Sequence, residues 1–290
     1  MRGGRVVFSS RQMAELDEPK LITQMVGEWV PPVSVARHQE ELAAPLLEVV
    51  DLEIHDDRER PILSHINFTL SPREILGVAG ISGNGQRELA EALLGLRPIH
   101  HGEIRVEGQM VNHLSPITML DAGVVGIPEN PVEEAIVPGL TVLEHMVLGG
   151  LEAKRRGLGI DWPAVAKEFQ ALPEATTLRV AAAERRADGL SGGNVQRMIL
   201  GRALARKPRI LIASYPSRGL DIATTRAVHQ ILLSHRDQGT AILLFSEDLN
   251  ELYALSDRLL VVSHERVSAP IDPRATDIYQ VAAQMVTRSH

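Results

Sequence analysis

Two stretches of this chain have the residue types and spacing to handle phosphate. The first is Gly80-Ile81-Ser82-Gly83-Asn84-Gly85-Gln86-Arg87, of the form G-x-x-x-x-G. It follows a short apolar run, Glu74–Ala79, and opens a segment of helical spacing. A glycine-rich turn there points successive backbone N–H groups into one concavity at the positive end of a helix, a setting that holds anions. Taken alone, the loop reads equally as a phosphate cradle or as an ordinary tight turn. The second stretch is Leu190-Ser191-Gly192-Gly193-Asn194-Val195-Gln196-Arg197. Its two glycines let backbone N–H groups approach phosphate oxygens, Ser191 adds a hydroxyl donor, and a helix begins there with its positive end outward.

Alternating strands and helices must position these loops. Strands are expected at Leu46–Ile54, Ile62–Leu70, Glu74–Ala79, Glu103–Val106, Val124–Ile127, Arg209–Ala213, Thr240–Phe245 and Arg258–Val262. Helices are expected at Gln86–Leu96, Ser191–Ala205, Ile222–His235 and Asp248–Leu255. Between Gly139 and Asp188 the pattern turns helical and alanine-rich, which suggests an inserted helical subdomain. The alternation implies an α/β fold with parallel pairing and helices on both faces of the sheet.

Composition narrows the function classes. At 290 residues with 44% hydrophobic and 23% charged side chains, the chain has material for a full core. It has no cysteine, which excludes disulfides and thiolate metal sites and suits a cytoplasmic location. A net charge of -7 without a basic block argues against nucleic acid as a partner. No apolar run approaches the ~20 residues that span a bilayer, and the N-terminus lacks an apolar core of signal-peptide length. The chain reads as soluble, which leaves docking on a membrane protein open. Neither His100-His101 nor His113 has metal-ligand spacing, so no metal is expected on this chain's histidines. Trp162 and Phe169, seven apart with Val165 between them, read as one apolar helix face.

The run L-S-G-G-x-x-Q-R at 190–197 resembles the signature motif of ATP-binding cassette (ABC) ATPases. The loop at 80–87 then resembles that family's P-loop, with strand before and helix after. The resemblance implies a P-loop NTPase-like ABC nucleotide-binding domain with an antiparallel β subdomain and an inserted helical subdomain. It also implies that Leu190, Ser191, Gly192, Gly193, Asn194 and Gln196 contact ATP held by a facing subunit. The chain's own nucleotide would lie on Gly80, Ser82, Gly83, Asn84, Gly85, Gln86, Arg87 and Glu129. Here the family pattern is broken. Gln86 and Arg87 replace Lys and Ser/Thr, and each lost charge-assisted contact is worth roughly 1.5–3 kcal/mol, about tenfold or more in affinity. Arg87 could return some charge but cannot ligate Mg²⁺.

In Arg209–Asp221, with register set by Pro216 and Leu220-Asp221, Ser214 falls on the Mg²⁺-associated Asp and Tyr215 on the general-base Glu. A neutral tyrosine is a poor base for water. Glu247 falls on the switch histidine and Glu129 on the Q-loop glutamine. A carboxylate at Glu247 repels a γ-phosphate to which histidine would donate. These changes imply a site not built for hydrolysis, with no intact catalytic residue. Asp221, in the loop after the lost base, would couple the two sites. His55 is the one candidate for stacking on adenine in the strand before the P-loop.

Residues 2–27 echo 264–286, with Arg5 and Arg266, and Met25 and Met285, about 260 residues apart, the period of one ABC domain plus its linker. Residues 1–30 are therefore expected to be the C-terminal remnant of a preceding ABC domain, 31–45 a linker, and 46–290 the nucleotide-binding domain. The chain resembles the second, degenerate cassette of the tandem ATPases of simple-sugar and nucleoside importers. That resemblance implies ATP as ligand, with Mg²⁺ at the partner site only. It implies as partners a first, catalytically intact cassette, permease subunits and, indirectly, a substrate-binding protein. The place would be the cytoplasmic face of the plasma (inner) membrane, held peripherally. The alternatives are a self-sufficient but slow homodimeric ATPase, a non-hydrolytic regulatory or scaffold module, and a truncated gene product.

Overall fold

The computed structural model describes residues 44–112, 115–151, 155–156 and 159–286. The remnant expected at 1–30, the expected linker apart from its last two residues, and His113 lie outside the described residues.

Two sheets carry the chain. Strands β1 (Leu47–His55), β2 (Pro61–Leu70), β4 (His101–Val106) and β5 (Gln109–Met110) form an antiparallel sheet in the order β2-β1-β4-β5. The larger sheet holds β3 (Ile75–Gly80), β6 (Val124–Ile127), β9 (Ile210–Ser214), β10 (Ala241–Ser246), β11 (Arg258–Ser263) and β12 (Arg266–Val267). Its order is β12-β11-β3-β10-β9-β6, parallel throughout except for the antiparallel edge strand β12.

The parallel strands are apolar on both faces, as a sheet covered on both sides requires. Alternate residues divide between two cores. Ile75, Leu211, Ala213, Ile242, Leu244 and Leu259 enter one. Leu76, Val78, Ile210, Ile212, Leu243 and Phe245 enter the other. The first core is closed by helices: α4 (Val142–Leu148), α5 (Trp162–Ala171), α6 (Pro173–Thr177), α7 (Gly192–Ala205), α8 (Ile222–Asp237), α9 (Leu249–Leu255) and α10 (Ile278–Val286). The second is closed by α1 (Gln86–Leu93), by Met119 of α2 (Pro116–Asp121), and by the antiparallel sheet. The expectation of helices on both faces thus holds for one face and is shared with strands on the other. β1 and β2 alternate buried and exposed side chains, which gives them an apolar face to offer.

The stretch 139–188 is helical as expected, with α4, α5 and α6, but also carries a two-stranded hairpin of β7 (Arg155–Arg156) and β8 (Gly159–Ile160). In α5, Val165 and Phe169 are buried, while Trp162 is about a third exposed (37%). The short elements α2, α3 (Pro131–Glu134), β5 and β12 were outside the sequence expectation, being too short for a periodic signal. None of the helices among the described residues is long and apolar enough to cross a membrane.

Candidate functional site

The expected nucleotide loop lies at the C-terminal end of β3, beside the C-terminal ends of β10, β9 and β6, where open parallel sheets bind ligands. Gly85 caps α1 with φ +107°, and a Cβ there would come within 2.6 Å of Leu63 Cγ, so position 85 requires glycine on both counts. Ile81, Ser82 and Gly83 are exposed, so the loop's mouth faces solvent. Gln86 is turned back: it is 3% exposed, and its Nε2 donates to the Ile81 carbonyl at 3.0 Å. Its Oε1 has no hydrogen-bond partner among the described residues. Arg87 runs along the helix instead, with Nε donating to Glu91 at 2.7 Å. That pairing turns toward the helix the charge that Arg87 was expected to return to the loop.

Among the described residues, Arg218 is a cation that reaches this region. Its Nη1 donates to Glu129 Oε1 at 2.8 Å, and its Nη2 lies 3.4 Å from Glu247 Oε2. The guanidinium carbon sits 4.0 Å from the centroid of the Tyr215 ring. Glu247 Oε1 in turn accepts from the backbone N–H of Ser82 at 3.1 Å, so its carboxylate rests on the rim of the glycine loop. Glu129, Tyr215 and Glu247, expected from sequence to face one nucleotide, are thus brought together, with each contacting Arg218.

Tyr215 is 5% exposed and holds a left-handed φ of 48°, unusual for an aromatic residue. Its N–H donates to the Phe245 carbonyl at 2.9 Å, which fixes the turn after β9 to β10. Burial, then the charges of Glu129 and Glu247, push its phenol up to about 12, with Arg218 opposing. A phenol so placed stays protonated and takes no proton from water at neutral pH. Ser214, buried at the end of β9, offers a hydroxyl and no charge.

A buried carboxylate braces both loops. Glu251, 5% exposed on α9, accepts from Ser217 Oγ at 2.5 Å, from Ser246 Oγ at 2.5 Å, and pairs with His229 Nε2 at 2.8 Å. Ser217 precedes Arg218 and Ser246 precedes Glu247, so one side chain sets the origin of each arm.

The second phosphate motif is built differently. Ser191 is the N-cap of α7 and makes no cap bond with its side chain. Its Oγ accepts from Asn194 Nδ2 at 2.8 Å, and Arg197 Nη2 donates to Asn194 Oδ1 at 2.6 Å. Ser191 and Gly192 are exposed, and a Cβ on Gly192 would meet nothing within 4 Å. Leu190 packs against the helical core. Gln196, buried at the next turn, donates to the carbonyl of Pro216 at 2.9 Å and reaches that of Tyr215 at 3.4 Å. The signature helix is thereby tied to the Tyr215 loop. Asp221 caps α8, accepting from Thr224 N–H at 3.0 Å and Thr224 Oγ1 at 2.7 Å.

A family model described as ABC transporter matches residues 63–217. The chain belongs to the ABC transporter family. It is 34% identical over 276 residues to the glucose import ATP-binding protein TsgD13 of Haloferax volcanii, covering 94% of this chain and 50% of that protein. It is 31% identical over 264 residues to the guanosine import ATP-binding protein NupO of Bacillus subtilis, covering 90% of this chain and 52% of that one. The chain spans about half the length of the curated relatives it matches. A solved ATP binding subunit of an ABC transporter superposes with a TM-score of 0.70 over 83% of this chain and 100% of that one, at 21% identity. The fold is that of an ABC nucleotide-binding domain.

Within this ABC domain, sequence reading missed Arg218, Glu251 and His229. Arg218 was visible as a cation between Pro216 and Gly219 in a loop that leaves a buried strand. Glu251 falls on the buried stripe of α9 with Leu252 and Leu255, and an acid at such a position signals a hydrogen-bonded hub. The histidines also surprise. His55, expected as a possible adenine platform, stacks on His100 with ring centroids 3.5 Å apart and planes 11° from parallel. His55, Glu59 and His100 bring ligand atoms within 4.8 Å of one another, a grouping that sequence spacing had not suggested. The flat stacking keeps the two in-plane lone pairs in separate layers rather than converging on one ion.

Proposed function

We propose that this chain is the second cassette of an ABC importer for simple sugars or nucleosides, and that it lends its signature motif to a hydrolytic site on a first cassette. The observation that carries this reading is the openness of Gly192 beside exposed Ser191, set against a home loop whose neighbouring carboxylates are already paired. The N–H groups at Ser191, Gly192 and Gly193 would stabilise charge on the γ-phosphate of ATP held by the partner as water attacks it. Mg²⁺ would be held there and not here, because Ser214 carries no charge and Glu129 is engaged by Arg218. The relatives named for glucose and guanosine import support the substrate class. Permease subunits, and through them a substrate-binding protein, would complete the assembly at the cytoplasmic face of the membrane. Asp221 would couple the two sites from the start of α8.

The test uses the whole assembly. The purified chain alone should hydrolyse Mg-ATP at background, and the chain joined to an intact first cassette and its permease should hydrolyse it when substrate-loaded binding protein is supplied. Turnover by the isolated chain of roughly 1 per second or more, in the ordinary enzyme range, overturns the reading.

A further inference from the structure

The home loop of this domain already holds an anion. Glu247 Oε1 accepts from Ser82 N–H at 3.1 Å, and a carboxylate oxygen is the same class of acceptor as a phosphate oxygen. The arm carrying Glu247 is fixed at its root by the Ser246 hydroxyl, which donates to buried Glu251 and accepts from Asp248 N–H at 3.1 Å. Arg218 draws Glu247 and Glu129 onto one guanidinium, and its own root at Ser217 hangs from the same Glu251. Deeper in the loop, Gln86 Oε1 is buried without a hydrogen-bond partner among the described residues, in the position where a cationic side chain would serve triphosphate.

We propose that Glu247 is a built-in third anion and that the home site accepts a nucleoside diphosphate without a divalent cation while rejecting the triphosphate. Two phosphates can lie on the N–H groups of Gly83, Gly85 and the first turn of α1, whereas the Asn84 N–H between them is given to the Ile81 carbonyl at 3.2 Å. A third would advance toward Ser82, where the N–H is taken and two carboxylates stand within reach of one arginine. Arg218 neutralises only one of those charges, so the added phosphate meets net repulsion. This selectivity rests on the reading that the home site does no chemistry.

Titration calorimetry on the full chain, with ADP and with a non-hydrolysable ATP analogue, in EDTA and in Mg²⁺, tests it. ADP should bind at least tenfold more tightly than the analogue, with little change on adding Mg²⁺. Glu247→Gln should tighten the analogue about tenfold and leave ADP within a factor of three. Glu247 is 43% exposed, and thermal melts of the variant check that the fold is kept. Equal affinity for both nucleotides in the wild type, a Mg²⁺-driven preference for the triphosphate, or no response to Glu247→Gln overturns the inference while leaving the proposed function standing. Failure of either form to bind any nucleotide overturns it as well, since the loop would then be no phosphate site. Turnover of Mg-ATP by the wild-type chain alone instead strikes the proposed function itself.

Discussion

The two glycine-rich motifs of this domain are chemically alike and physically opposite. Around the loop at 80–85, Glu247, Glu129, Arg218 and Tyr215 satisfy one another, and the Ser82 N–H has an internal acceptor. At 191–193 the side chains of Ser191, Asn194 and Arg197 support the turn from below, and open space lies above Gly192. A loop whose outermost N–H already has an acceptor from its own chain leaves a ligand only the inner donors. One whose donors face outward without acceptors is unfinished until something anionic arrives. The contrast therefore separates a region made for its own chain from one made for a neighbour.

The largest expected effect comes from spoiling the outward motif. Gly192→Asp should reduce hydrolysis by the complete assembly at least roughly a hundredfold, the scale of removing an oxyanion donor, because it sets negative charge where the partner's phosphate must come. Since a Cβ at 192 meets no atom within 4 Å and its φ is not in the left-handed region, the isolated variant should melt with the wild type. Gln86→Ala in the same assembly should cost far less, because Gln86 bonds inward to Ile81. Equal losses from the two changes would erase the contrast. The measurement is steady-state hydrolysis with both variants at matched assembly.

Next in size is the brace behind the inward motif. Glu251→Gln leaves His229 and two hydroxyls around a neutral amide, and taking a charged acceptor from buried hydrogen bonds costs about 3 kcal/mol. Burial pushes Glu251 up, but the hydrogen bonds from His229, Ser217 and Ser246 outweigh it and hold the carboxyl below its ordinary range. A carboxyl lowered in the folded state stabilises above the unfolded value, near ~4.3, and that stability is lost as pH falls through the folded value. Urea denaturation should therefore show the variant weaker at pH 7, with a shallower loss than the wild type below pH ~4.3. Parallel curves would mean that the brace carries no charge of consequence.

How much of this was legible depended on whether an element announces itself locally. The strands Leu47–His55, Val124–Ile127 and Ile210–Ser214 stood out within a residue of their bounds because apolar β runs ended at turn residues. The four-residue helix at Pro131 and the edge strand at Arg266 did not, since neither completes a period. Sequence register placed Glu129, Tyr215 and Glu247 around one loop, and the fold brings them together. It could not say that they would converge on Arg218, because that side chain's reach depends on packing against Tyr215. Nor could it see Arg87 turn to Glu91, although the i,i+4 spacing permits that pair. Local pattern identified the positions, whereas the partners were set by tertiary contacts between β6, β9 and β10.

The smallest effect is expected at Tyr215, which falls where the family carries its general-base Glu and was read as a poor base. Tyr215→Phe keeps the ring over which Arg218 lies and keeps the buried surface, and removes only the hydroxyl. With that phenol pushed up to about 12 by burial and then by Glu129 and Glu247, no proton leaves it over the working range of pH. Hydrolysis by the complete assembly should thus be unchanged within twofold, with the same pH profile from 6 to 10, and stability should move by no more than about 1 kcal/mol. Tyr215→Ala is the informative companion, because it removes the platform beneath Arg218 as well. It should destabilise the chain by about 3 kcal/mol or more and loosen the Glu129 and Glu247 arms together. A tenfold loss from Tyr215→Phe alone would mean that the phenol takes part in the chemistry, and the inward site would no longer be the quiet half of the pair.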